Sequence, residues 1–127
     1  MMAVDTSALM AIALDQPEAA ACIAALATDD EILISAATIA ESLIAAAHRR
    51  LGNEMASMLD GFGFTVVPVT AASAQRAASA YARWGKGNHG AGLNFGDCCS
   101  YEVAKAHDCP LLFVGVDFSK TDVKAAL

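Results

Sequence analysis

Four apolar runs, residues 2–4, 32–34, 65–69 and 110–114, are too short for helices, and each is separated from the next by room for one or two helices. Parallel strands need a crossover of a dozen or more residues, whereas antiparallel strands turn back within a few. The spacing therefore predicts an α/β fold, a parallel sheet flanked by helices on both faces as an α/β/α sandwich. At 127 residues the chain is expected to form one domain over 1–127, with a core that needs no disulfide or metal staple. The hydrophobic fraction of 56% is inflated by alanine. No uninterrupted apolar run of about 18 residues exists to cross a bilayer, so no membrane association is expected.

The N-terminus places no basic segment before its apolar residues and meets Asp5 at once, so neither signal nor transit peptide is expected. Cys22, Cys98, Cys99 and Cys109 include an adjacent pair and no C-x-x-C, which fits neither a disulfide framework nor a zinc ribbon. A reducing cytoplasm is the implied setting. The net charge of −6 argues against a nucleic-acid binder with a broad basic surface. It is compatible with a site whose acids are neutralised by metal, leaving Arg49, Arg50, Arg83 and Lys86 to meet phosphates.

Between the strands, Asp5-Thr6-Ser7 supplies capping chemistry for a helix carrying Leu9, Ile12 and Ala13. Pro17 opens a second helix over about 18–27. Ser35 caps a longer one carrying Ile39, Leu43, Ala46 and Ala47 and ending near 51–53. A short helix over about 54–59 precedes the third strand, an alanine-rich helix spans 71–84, and the last helix runs from Phe95 to about His107. The glycine-dense stretch 85–94 reads as a loop, either a plain surface loop or one for flexible substrate approach with Lys86 and His89 as contacts.

Asp5, Glu41, Asp97 and Asp117 fall one per unit where a strand gives way to a helix, or on a helix just beyond. In parallel sheets, ligands bind past the carboxyl ends of the strands. Acids gathered there repel one another, and a hard divalent cation is the usual reason for such a cluster. Each has a plainer explanation. Asp5 is a favoured N-cap, Thr38 and Glu41 match a capping box, Asp97 suits the first turn of a helix, and Asp117 suits turn chemistry. With Ser35 as the cap, however, Glu41 lies in the second turn, beyond the free N–H groups. Independent caps also have no reason to recur in the order Asp, Glu, Asp, Asp.

Four blocks carry a resemblance: 4–9 (VDTSAL), 34–41 (ISAATIAE), 86–98 (KGNHGAGLNFGDC) and 110–118 (PLLFVGVDF). In this order, over nearly the whole length, they resemble the PIN-domain ribonucleases, specifically VapC-type toxins of type II toxin–antitoxin pairs. The resemblance implies a Mg²⁺-dependent endoribonuclease, with Mn²⁺ as a substitute, acting on RNA. It also implies a VapB-type antitoxin as partner, presenting a basic side chain to the acids, and a homodimer. By it Asp5 and Asp97 are the principal metal ligands, Glu41 completes an acidic triad and Asp117 is the fourth acid. Relatives often carry a second acid where this chain has Val116, and Asp122 is the fallback for the fourth position.

Magnesium keeps several waters, so two or three carboxylates and a substrate phosphate suffice. Sequence leaves one-metal and two-metal mechanisms equally open. Thr6 and Ser7 fit either capping or support of a ligand carboxylate. Residues 85–90 match G-x-G-x-x-G literally, but this copy follows a helix where a dinucleotide fingerprint follows a strand. Rival readings on the same fold are a catalytically weak metal-binding or protein-interaction module and a small-phosphoester hydrolase.

Overall fold

A computed structural model describes all residues, 1–127. Four strands, β1 (Met2–Val4), β2 (Ile32–Ser35), β3 (Thr65–Val67) and β4 (Leu111–Leu112), form one parallel sheet in the order β3-β2-β1-β4. Met2 pairs with Ile32, Ala3 with Leu111, and Ser35 with Val67. The chain builds outward from β1 to β3 and then crosses back to lay β4 on the other side of β1. That reversal makes a switch point beside β1, the place where parallel sheets leave a crevice.

Six helices connect the strands: α1 (Thr6–Ala13), α2 (Ala19–Ala27), α3 (Ala36–His48), α4 (Gly52–Gly61), α5 (Ala71–Trp84) and α6 (Phe95–Ala106). Side chains alternate across each strand. Met2, Val4, Ile32, Ile34 and Leu112 join one apolar cluster with α1, α2 and α4, while Ala3, Leu33 and Leu111 join another with α5 and α6. The two cores, one on each sheet face, are the expected α/β/α sandwich. No helix is long and apolar enough to cross a membrane.

Several boundaries differ from the sequence expectation, each for a local reason. Helix α3 stops at His48 because Arg50 takes a left-handed conformation (φ 58°) and the Leu51 N–H returns to the Ala46 carbonyl at 2.8 Å. Strand β3 stops at Val67 because Pro68 has no N–H to extend the ladder. Strand β4 is only two residues long: the Val114 N–H turns away to the Ser7 hydroxyl at 3.0 Å, and Gly115 then bends the chain at φ 109°. Asp117 therefore does not end a strand. It precedes a short 3₁₀ turn, Phe118–Lys120, whose Phe118 is anchored in the core.

The buried stripe of α3 also differs. Leu43 and Ala47 are exposed, and the residues turned inward are Thr38, Ser42 and Ala46. A helix whose buried face carries two hydroxyls needs polar partners inside the fold. Those partners are Ser100 of α6 and Thr6 of α1.

Candidate active site

Asp5 leaves β1 with extended backbone and caps α1, its Oδ2 accepting the Ser7 N–H at 2.9 Å. Capping does not exhaust it. Oδ1 accepts the Ser100 hydroxyl at 2.6 Å, and the residue is only 2% exposed. Carboxylates are almost never buried without such partners.

Glu41 stands in the second turn of α3, whose N-cap is Ser35, accepting the Ala37 N–H at 3.2 Å. No capping box forms with Thr38, whose hydroxyl instead meets Ser100 Oγ at 3.2 Å. Glu41 Oε1 accepts the Thr6 hydroxyl at 2.5 Å, and Thr6 in turn accepts from Ser42 at 3.1 Å. Its Oε2 lies against the first turn of α6, so close that a Cβ added at Gly96 would fall 1.8 Å away. A side chain at 96 cannot coexist with this placement of Glu41.

Asp97 is the third residue of α6 and forms a capping box with Asn94, accepting the Asn94 N–H at 3.0 Å while its own N–H goes to Asn94 Oδ1 at 2.8 Å. Burial is the main cause that lifts its carboxyl from 3.8 to about 6. The charges of Asp5, Glu41 and Asp117 add to the rise, and the Asn94 bond opposes it. Burial likewise raises Glu41, against the Thr6 bond and with the help of Asp5. The charges of Asp5, Glu41 and Asp117 thus all bear on Asp97. Asp117 itself is exposed, and its side chain makes no capping bond.

Asp122 lies elsewhere. Its carboxylate accepts the Tyr101 hydroxyl at 2.6 Å and has Lys105 at 3.3 Å and Arg83 at 3.6 Å, a setting that holds it below the usual range. Its role is to fasten the C-terminal segment to α5 and α6. Its charge is already matched there, and the structure gives no support to Asp122, the fallback, as the fourth acid.

The repulsion within the cluster has a measurable consequence. The carboxyl of Asp97 binds a proton more tightly in the folded chain than in the unfolded one, so metal-free stability falls as pH rises from about 4 to about 6. Asp97→Asn keeps an oxygen for the Asn94 N–H and removes the charge. It is expected to stabilise the protein in EDTA at pH 7.5 by roughly 1 kcal/mol, a value discounted for partial exposure, and by much less at pH 4. Thermal melts at the two pH values check this.

The four cysteines are free and buried, and burial pushes the Cys98 thiol up to about 11, so none is a nucleophile at neutral pH. Of the cations proposed to meet phosphates, Arg83 stacks over Trp84 and leans on Asp122, whereas Arg49, Arg50 and Lys86 are in no ion pair. The 85–94 segment is not an open coil. The Lys86 and Leu93 N–H groups bond to Leu93 and Trp84 carbonyls at 2.9 and 3.1 Å, and the His89 ring sits edge-on to Trp84 at 4.8 Å.

An all-carboxylate donor set suits a hard cation such as Mg²⁺ or Mn²⁺. The cradle fits this chemistry, because Gly96 leaves Glu41 room to approach α6 and the raised Asp97 carboxyl would be relieved by a cation. As placed, no three Asp, Glu, His or Cys side chains converge tightly enough to hold an ion by themselves. Water and substrate oxygens would complete the coordination, as magnesium ordinarily requires. An apolar groove of about 330 Å³ between α5 and α6 lies alongside and includes Phe95, Cys98 and Cys99 of α6, but none of the four acids.

Ser42 and Ser100 had no place in the sequence reading, and Thr38 entered it only as half of a capping box. The one signal was hydroxyls at 38 and 42, i and i+4 on one face of α3, which apolar periodicity passes over; Ser100 on α6 carried none.

The sequence matches the PIN domain over residues 2–124. It is 43% identical over 127 residues to a protein named ribonuclease VapC from Mycolicibacterium smegmatis, covering 98% of each chain. It is 42% identical over 125 residues to ribonuclease VapC30 of Mycobacterium tuberculosis, covering 96% of this chain and 95% of that one. Among solved structures, VapC20 of M. tuberculosis, described as a sarcin–ricin loop cleaving toxin, superposes with a TM-score of 0.79 at 18% identity, covering 97% and 96% of the two chains. A chain of a toxin–antitoxin complex from Klebsiella pneumoniae gives 0.72, also at 18% identity, over 96% and 93%. These structures share the fold, and the sequence relatives place the chain: it belongs to the PIN-domain family, among the VapC ribonucleases.

Proposed function

We propose that this chain is a Mg²⁺-dependent endoribonuclease, the toxin of a type II toxin–antitoxin pair, working as one PIN domain over 1–127. The observation that carries the reading is the packing of Glu41 between Asp5 and Asp97: Thr6, next to Asp5, holds its Oε1, its Oε2 lies against Gly96, next to Asp97, and the neighbouring charges add to the burial that lifts Asp97 to about 6. A site that holds carboxylates against their repulsion is suited to a cation and to a phosphodiester brought by that cation. The relatives named as VapC ribonucleases support RNA as the substrate.

When bound, the divalent ion supplies Lewis acidity toward the phosphate and a water of lowered pKa. Asp5 and Asp97 are the proposed ligands, both fixed by backbone caps before any ion arrives. Glu41, held by Thr6, completes the triad and orients the attacking water. Asp117, exposed and uncapped, assists at the solvent side. The structural likeness to a chain of a toxin–antitoxin complex supports an antitoxin partner; a basic side chain laid on the acids is the contact that their charge favours. Exposed Leu43 and Ile44 on α3 suit pairing of two copies, and a cytoplasmic setting fits four unpaired cysteines.

Labelled single-stranded RNA incubated with the purified protein tests this. Cutting is expected with Mg²⁺ or Mn²⁺ and is expected to vanish in EDTA. Cutting that persists in EDTA would contradict the metal-dependent reading, and intact RNA across a broad substrate set would contradict the nuclease reading.

A further inference from the structure

We infer that Thr38 and Ser100 are positioning residues that set the cation affinity of Asp5 through a buried chain of hydroxyls. This inference rests on the metal-dependent reading above. Thr38 is 0% and Ser100 1% exposed, so neither hydroxyl has water to turn to. An ionised carboxylate only accepts. The Ser100 proton therefore points to Asp5 Oδ1, 2.6 Å away, and cannot also serve the contact with Thr38. Thr38 must then donate to Ser100 across 3.2 Å.

The chain has one direction, α3 to α6 to the carboxylate at the end of β1. A second chain runs parallel to it. Ser42, one turn along α3 and also 0% exposed, donates to Thr6, which donates to Glu41 Oε1. Thr38 and Ser42 are i and i+4 on one face, so a single hydroxyl stripe on α3 underlies both carboxylates. Each chain delivers one proton donor to one oxygen of its acid and orients the carboxylate before an ion is present. Partners of this kind are commonly worth 10- to 100-fold in metal affinity.

The experiment is calorimetric titration of Mn²⁺ into the EDTA-stripped, full-length protein, with no RNA present. Ser100→Ala is expected to weaken binding about tenfold. Thr38→Val, isosteric but without the hydroxyl, is expected to weaken it in the same direction by less, and Thr38→Ser to restore the parent value. Far-ultraviolet circular dichroism establishes that each variant is folded, and if Ser100→Ala is not, the two Thr38 variants decide. Parent-like affinity in folded Ser100→Ala and in Thr38→Val overturns the inference. So does equal loss in Thr38→Val and Thr38→Ser, which would assign the effect to packing. A parent protein that binds no Mn²⁺ overturns the functional reading itself, and this inference with it.

Discussion

Asp5→Asn is expected to lower RNA cleavage by about 10³-fold, equivalent to about 4 kcal/mol of transition-state stabilisation, while the fold persists. The two oxygens of Asp5 each receive a proton donor, the Ser7 N–H and the Ser100 hydroxyl. Asparagine offers one oxygen and one NH₂ group, so it can keep the Ser7 N–H only if the Ser100 hydroxyl turns from donor to acceptor and reverses its contact with Thr38. That rearrangement costs at most the roughly 1–3 kcal/mol of an unsatisfied buried group. Loss of one negative charge from a crowded cluster offsets part of it, so the change in melting temperature is expected to be small. The ligand charge has no such compensation. Single-turnover cleavage beside a thermal melt separates the two effects. Near-parent cleavage by a folded Asp5→Asn would remove Asp5 from the ligand set.

Gly96→Ala is expected to lower cleavage by about 10²-fold with little loss of stability. Helix propensity alone favours the alanine by about 1 kcal/mol. The site opposes it, because the new Cβ would lie 1.8 Å from Glu41 Oε2 and 2.4 Å from its Cδ. Two adjustments are available. Glu41 can swing away, breaking its bond to Thr6, or the first turn of α6 can shift and carry Asp97 with it. Either one separates Glu41 from Asp97, and a misplacement of about 1 Å at a reacting centre costs on the order of 10²-fold. Overpacking costs about 1–3 kcal/mol, which the propensity gain and the partial release of a buried carboxylate offset. Unchanged turnover in Gly96→Ala would mean that Glu41 has no fixed part in the reaction.

Much of this architecture was legible in the residues. Strand–helix alternation gave the parallel sheet, and strand ends followed by capping residues placed Asp5 and the start of α3 correctly. Helix α5 matched its expected bounds, 71–84. The sequence was least informative where tertiary bonds override local pattern. Residues 113–117 look like a continuing strand, yet the Ser7 hydroxyl captures the Val114 N–H and Gly115 turns the chain, so Asp117 stands on a turn, not at a strand end. On α3 the apolar period pointed to Leu43 and Ala47, but the polar stripe is the buried one. Only contact with Ser100, 62 residues away from Thr38, reveals why. Spacing likewise says nothing of the partners of Asp122: Tyr101, Lys105 and Arg83 gather around it only through tertiary contact.

The most direct measurement is anomalous diffraction from crystals of the full chain grown with Mn²⁺. A manganese peak in contact with the carboxylates of Asp5 and Asp97, near Glu41, is the predicted result. Manganese bound only at another place, such as Asp122 or the surface acids of α4, with Asp5 and Asp97 unengaged, would contradict it.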